Sequence, residues 1–187
     1  MDELLELHRV NADRFTGLVS HIGDKWDLPT PCDEWSVRDL VNHLTSEQLW
    51  APRLLAGHTV AEVGDAFDRD VLGDDPVASW RSAMSAALEA FAADGAVTRT
   101  VHLSRGPTPA HEYLEEMVMD LAIHGWDLAH ALGVDEAIDP ATVDRLLVAL
   151  SNSASPLGPN AYFKAPLPTG EDADEQTRLL ALLGRRA

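Results

Sequence analysis

Basic residues are scarce in this 187-residue chain: 14 Lys and Arg stand against 31 Asp and Glu, for a formal net charge of −17. A surface this acidic repels phosphate backbones and anionic membranes, so nucleic acid and lipid surfaces are not expected partners. Cysteine is scarcer still. The single residue, Cys32, permits no intramolecular disulfide and no cysteine-rich zinc site. No apolar run approaches the ~20 residues that a membrane span needs. The start of the chain, Met1-Asp2-Glu3-Leu4-Leu5-Glu6, is acidic and lacks the basic region of a signal peptide. A cytoplasmic protein is the expectation. Nucleophile elbow, phosphate loop and dinucleotide fingerprint are all missing, and strand signals are sparse.

Helix punctuation, by contrast, is plentiful. Hydrophobic residues make up 45% and charged residues 24%, enough for one domain over residues 1–187 with a real core. Residues 2–20 read as a first helix, with Leu4, Leu5, His8, Ala12, Phe15, Leu18 and Val19 on one stripe and Gly23 beyond its end. Ser36 and Asp39 can form a capping box for a second helix, whose apolar face is Val37, Leu40, Val41, Leu44 and Ala51 and whose end Pro52 disturbs. Residues 56–74 read as a connection. Asp75-Pro76 opens a third helix closing at Gly95. Residues 97–103 alternate like a short strand, with nothing obvious to pair with. Thr108-Pro109 starts a fourth helix that Gly133 ends. Asp139-Pro140 starts a fifth, to about Ser153. Residues 155–170 read as irregular and 172–184 as a short final helix. This is an all-α pattern, and a four-helix bundle with additional short helices and at most a minor β element is the expected architecture.

On the fourth helix the apolar positions cover most of the circumference, leaving a narrow strip of Glu116, Asp120, His124 and Asp127. Asp120 and His124 are one turn apart and stack on one face. The plain alternative is that the acids are solvated and His124 is a satisfied core histidine, which is commoner for an arbitrary Asp-x3-His pair. Against it, the pair lies in mid-helix and His43 on the second helix offers a third donor. Asp39 and Glu47 flank His43 by one turn on either side as orienting groups, and Asp127 can orient a ligand histidine in the same way. His43, Asp120 and His124 together make a two-His, one-carboxylate set with a position left open, the pattern of a catalytic rather than a closed structural metal site. Zinc leads the expected metals, with nickel or iron as alternatives. The other histidines are weaker: core packing accounts for His8, and His130 lies opposite His124. Cys32, just before a helix, is either a reactive thiol or a small buried hydrophobe.

The segment Thr30-Pro31-Cys32-Asp33-Glu34-Trp35-Ser36-Val37-Arg38-Asp39-Leu40-Val41-Asn42-His43-Leu44 resembles a segment of actinobacterial proteins related to the mycothiol-dependent maleylpyruvate isomerase N-terminal domain, within the DinB/YfiT-like superfamily. Asp120 to Leu128 resembles that family's D-x-x-x-H-G-W-D-L segment, and the tail from Asp172 through Gly184-Arg185 resembles its C-terminal motif. The resemblance implies a four-helix bundle holding a divalent metal on His43, Asp120 and His124, with Asp120 standing where the superfamily often has His or Glu. It also implies a low-molecular-weight thiol such as mycothiol as cosubstrate and a small electrophile as substrate. The isomerase has a second domain with no counterpart in these motifs. Two functions are therefore expected as alternatives: a thiol-dependent transferase or isomerase, and a non-catalytic metal-binding scaffold or stress-related protein. Association as a homodimer is left open.

Overall fold

In the structure, a computed structural model, residues 2–32, 35–152 and 165–186 are described. The first helix, α1, spans Asp2–Ser20, and the second, α2, spans Val37–Leu55. The capping box forms as expected. The Ser36 hydroxyl accepts the Asp39 backbone N–H at 3.2 Å, and the Asp39 carboxylate accepts the Ser36 N–H at 3.0 Å. This fixes the phase of α2 and therefore the direction in which His43 points. Pro52 does not end the helix. It lacks only one N–H, and the last turn continues to Leu55, with Ala56 N–H donating to the Pro52 carbonyl at 3.1 Å.

The connection after α2 contains a one-turn helix, α3 (Val60–Val63), with its own Thr59–Glu62 capping box. Helix α4 spans Pro76–Ala92, capped by Asp75, and stops short of Gly95, which instead begins a 3-10 turn over Ala96–Thr98 with φ of 71°. The expected lone strand has a partner. Strand β1 (Thr100–Leu103) pairs antiparallel with β2 (Gly106–Pro109), Val101 standing opposite Thr108. Thr108 is therefore a strand residue and not a helix start. Its flanking prolines disguise the strand, yet both strands of a two-stranded hairpin are edges, where proline is tolerated.

Helix α5 (Ala110–Leu132) ends at Gly133, whose φ of 68° is a left-handed cap. Helix α6 spans Pro140–Asn152 and α7 spans Glu175–Leu182, each opened by an aspartate. The expected end of α6 at Ser153 and the irregular segment up to residue 164 lie outside the described residues; residues 165–170 carry no regular structure. Among the described residues no helix is long and apolar enough to cross a membrane.

The fold is mostly α. The four long helices pack in a cycle: α1 against α4 and α5, and α2 against α4 and α5. Phe15 and Trp80 meet in its centre with ring centroids 4.6 Å apart, and the Trp80 indole N–H donates to Thr16 Oγ1 at 2.9 Å. A second apolar cluster lies on the far side of α5, where Ile123 and Trp126 pack with Leu146, Leu179, Leu180 and Leu183. Each large side chain buried this way contributes roughly 1.5–3 kcal/mol. Helix α5 is thus covered on both sides, and every residue from Leu121 to Ala129 is buried. Of its polar strip, Asp120 and His124 are left facing the seam with α2, where His43 meets them.

Candidate metal centre

At that seam Asp120 stands between two imidazoles. Its Oδ2 is 3.3 Å from His43 Nε2, and its Oδ1 is 3.3 Å from His124 Nε2. The two rings meet edge to face, with centroids 5.4 Å apart. Trp35, in the segment leading into α2, leans over both, 5.0 Å from His43 and 6.0 Å from His124. The His124 side chain is wholly buried, while those of His43 and Asp120 keep 11% and 17% of their surface exposed. A ligand therefore approaches past His43 and Asp120.

Behind His124 lies a second polar group. Its Nδ1 is 2.9 Å from Asp127 Oδ2. Asp127 also accepts the Arg185 guanidinium, Nη2 at 2.8 Å on Oδ2 and Nε at 3.2 Å on Oδ1. The Cys32 thiol donates to Asp127 Oδ2 at 3.2 Å, lies 3.6 Å from His124 Nδ1, and accepts Arg185 Nη2 at 3.4 Å.

The charges follow from this stacking. Burial by itself lowers the pKa of His124, but the carboxylates of Asp120 and Asp127 outweigh it and hold the imidazole well above its ordinary value. Burial raises Asp120, and the two imidazoles beside it reverse that and keep the carboxyl well below the usual carboxylate range. Asp127 is likewise raised by burial and brought down further by His124 and Arg185. Glu47, one turn beyond His43 on α2, is compensated less: burial, then the charge of Asp120, push its carboxyl up to about 7 against the opposing pull of His43 and His124.

Two donor sets result, and His124 belongs to both. In the first, single donor atoms of His43, Asp120 and His124 all lie within 4.8 Å of one another. Around a tetrahedral ion with bonds of about 2.0–2.2 Å, neighbouring donors stand about 3.4 Å apart, close to the 3.3 Å that separates each imidazole from one Asp120 oxygen. In the second, Cys32, His124 and Asp127 are equally near one another. There, however, the Arg185 guanidinium already supplies the positive charge, and the contacts are those of a hydrogen-bonded network. The first set fits a divalent ion and the second does not.

The structure thus brings His43, Asp120 and His124 together, with Asp127 behind His124 and Glu47 coupled through space to Asp120 and His43. Asp39 takes no part, because its carboxylate is spent in the capping box. Glu116 is an ion-pair partner of Arg105 on the surface. His8 is buried elsewhere against Phe91, and His130 stacks on Trp126 and bonds Glu136. Cys32 is buried as a small residue would be, yet it is tied into the network rather than left as a plain hydrophobe. Arg185 and Trp35 went unrecognised as site residues. Trp35 lies inside the motif that carries His43, which was the available signal. Arg185 lies at the end of the tail that carries the C-terminal resemblance, but its role depends on where the last helix docks. Gly125, beside His124, serves α1: a Cβ there would meet Arg14 Nη1 at 2.9 Å.

Residues 8–129 match the mycothiol maleylpyruvate isomerase N-terminal domain family. Two uncharacterized proteins of Mycobacterium tuberculosis, MT0763 of strain CDC 1551 / Oshkosh and Rv0738 of strain ATCC 25618 / H37Rv, are each 29% identical to this chain over 188 residues, spanning 99% of it and 98% of their own length. The fold is similar to the crystal structure of the mycothiol-dependent maleylpyruvate isomerase, with a TM-score of 0.62 and 16% identity over 80% of this chain and 68% of that one. A histidine-to-alanine mutant of that enzyme gives a TM-score of 0.65 over the same shares. At this identity the likeness concerns the fold, which is mostly helical and DinB-like.

Proposed function

The chain belongs to the mycothiol maleylpyruvate isomerase N-terminal domain family, and on that footing we propose that it is a divalent-metal protein that uses a low-molecular-weight thiol, mycothiol, as a transferase or isomerase of a small electrophilic molecule. The observation that carries this reading is the convergence of His43 and His124 on Asp120, each 3.3 Å from one of its oxygens, with Asp127 behind His124. These three residues would hold the ion, zinc being the first expectation from two imidazoles and one carboxylate. Such an ion supplies Lewis acidity, lowering the pKa of a thiol brought to it so that the thiol is a nucleophile at neutral pH.

The chain's own residues do the rest. Asp127 accepts the Nδ1 proton of His124 and Asp120 faces its Nε2, so an ion that displaced the Nε2 proton would find that lone pair already turned toward Asp120 and His43. Glu47, with its carboxyl near 7, can take a proton and return it at neutral pH, the behaviour of a general acid–base residue. Trp35 gives the approach side an apolar wall. The likeness to the isomerase spans 68% of that chain, so the thiol carries over to this protein and maleylpyruvate does not.

The test uses protein loaded with cobalt in place of zinc. Mycothiol is expected to perturb the visible cobalt spectrum, and His43→Ala to abolish the response. If mycothiol at millimolar concentration leaves the spectrum untouched, the catalytic reading gives way to a metal-binding scaffold.

A further inference from the structure

We propose that Arg185 is a positioning residue for this centre, its guanidinium gripping Asp127 so that His124 is held with Nε2 turned toward Asp120 and His43. The inference rests on the metal reading above, and it adds the tail of the chain to the site. Three contacts define the grip. Arg185 donates to both oxygens of Asp127, Nε to Oδ1 at 3.2 Å and Nη2 to Oδ2 at 2.8 Å. Its Nη1 donates to the Leu183 carbonyl at 2.9 Å, which pins the guanidinium to its own backbone. That backbone is in turn tied down, with Arg185 N–H on the Leu180 carbonyl at 2.8 Å.

The tail is placed by packing. Leu179, Leu180 and Leu183 are buried against Ile123 and Trp126, the residues on either side of His124 along α5. Docking α7 therefore delivers Arg185 under Asp127, 58 residues away in sequence. The fork matters because a carboxylate held by one bond still rotates about its last torsion, which is broad. Two parallel N–H donors remove that freedom, and lysine, a point charge, does not. The Asp127 oxygen that meets His124 is then fixed, and with it the ring. Stability does not account for the arrangement, because a buried ion pair adds little over apolar packing of the same volume.

The experiment compares Arg185→Met, Arg185→Lys, Asp127→Asn and the Arg185→Met/Asp127→Asn double variant in the full chain. Cobalt(II) affinity is read by competition with a chromophoric chelator. The hydrogen-bonded Nδ1 proton of His124 is read by NMR in metal-free protein. Both Arg185 variants are expected to weaken cobalt binding about 10- to 100-fold, and the double variant to be no worse than Asp127→Asn. The His124 Nδ1 proton is expected to move and to exchange faster. Unchanged affinity with an unchanged proton signal overturns the proposal. So does an Arg185→Met effect that multiplies with that of Asp127→Asn, because Arg185 would then not act through Asp127. Loss of the fold in both Arg185 variants overturns it too, since the residue would be a core element and not a clamp. If the unaltered protein binds no cobalt, the metal reading fails alone, and the NMR signal still decides whether Arg185 holds His124.

Discussion

Two histidines in this protein are wholly buried, and their surroundings predict opposite acid behaviour. His124 lies between two carboxylates, while His8 lies edge-on to Phe91 at 5.2 Å with no hydrogen-bond partner for Nε2 among the described residues. Burial pushes the His8 imidazole from its ordinary value near 6.5 down to about 4. The unfolded chain therefore takes up a proton below about 6.5 that the folded chain refuses until about 4. Stability is complete above the upper value and falls as pH drops through the interval, because the unfolded state binds more protons. The displacement is worth about 3 kcal/mol at its lower end. His8→Leu removes the titrating group and leaves the apolar packing. We expect urea unfolding to give similar stabilities for the two proteins at pH 7 and a gap opening to about 3 kcal/mol by pH 4 in favour of His8→Leu. Asp120 and Asp127 lose their own contributions over the acid range in both proteins, so they cancel in the difference. An NMR titration should show the His8 ring unprotonated throughout the neutral range. Parallel pH profiles for the two proteins would refute the assignment of His8 as an uncharged core histidine.

Ser36→Ala removes one half of the capping box that sets the phase of α2, and chemical denaturation should show a loss of about 1 kcal/mol. Gly125→Ala places a methyl group 2.9 Å from Arg14 Nη1, the movable end of a long side chain, and in ordinary contact with Phe15 at 3.7 Å; with the gain in helix propensity, thermal unfolding should change by less than about 1 kcal/mol, whereas the bulkier Gly125→Leu should cost more. Glu47 has its carboxyl raised from 4.5 to about 7, so its contribution to stability is full below 4.5 and is lost as pH rises through 7. In metal-free protein Glu47→Gln should therefore lose less stability than the unaltered chain as pH rises from 4.5 to 7, and equal losses in both across that interval would count against a raised Glu47 carboxyl.

What the chain determined without its fold is whatever acts within a turn or two. Helix starts were legible at Ser36, Asp75 and Asp139 because a cap bonds a backbone group three residues away, while the final helix, read over 172–184, begins only at Glu175 behind its cap Asp174. The same short range made Asp120 and His124 legible as one face of α5, and the phase of α2 made His43 their counterpart. Local rules misplaced the start of α5, because Gly106–Pro109 carries turn residues and becomes a strand only by pairing with Thr100–Leu103. They also offered both Asp39 and Glu47 as orienting groups for His43, one turn on either side. The fold separates them: Asp39 is spent in the capping box already read from the sequence, and Glu47 is turned toward the charge of Asp120. Beyond that range only packing decides. Cys32, Asp127 and Arg185 come from three distant parts of the chain, and nothing in their spacing ties them together. They meet because α7 buries its leucines against Ile123 and Trp126, and once buried, each polar group must find its partner among the others.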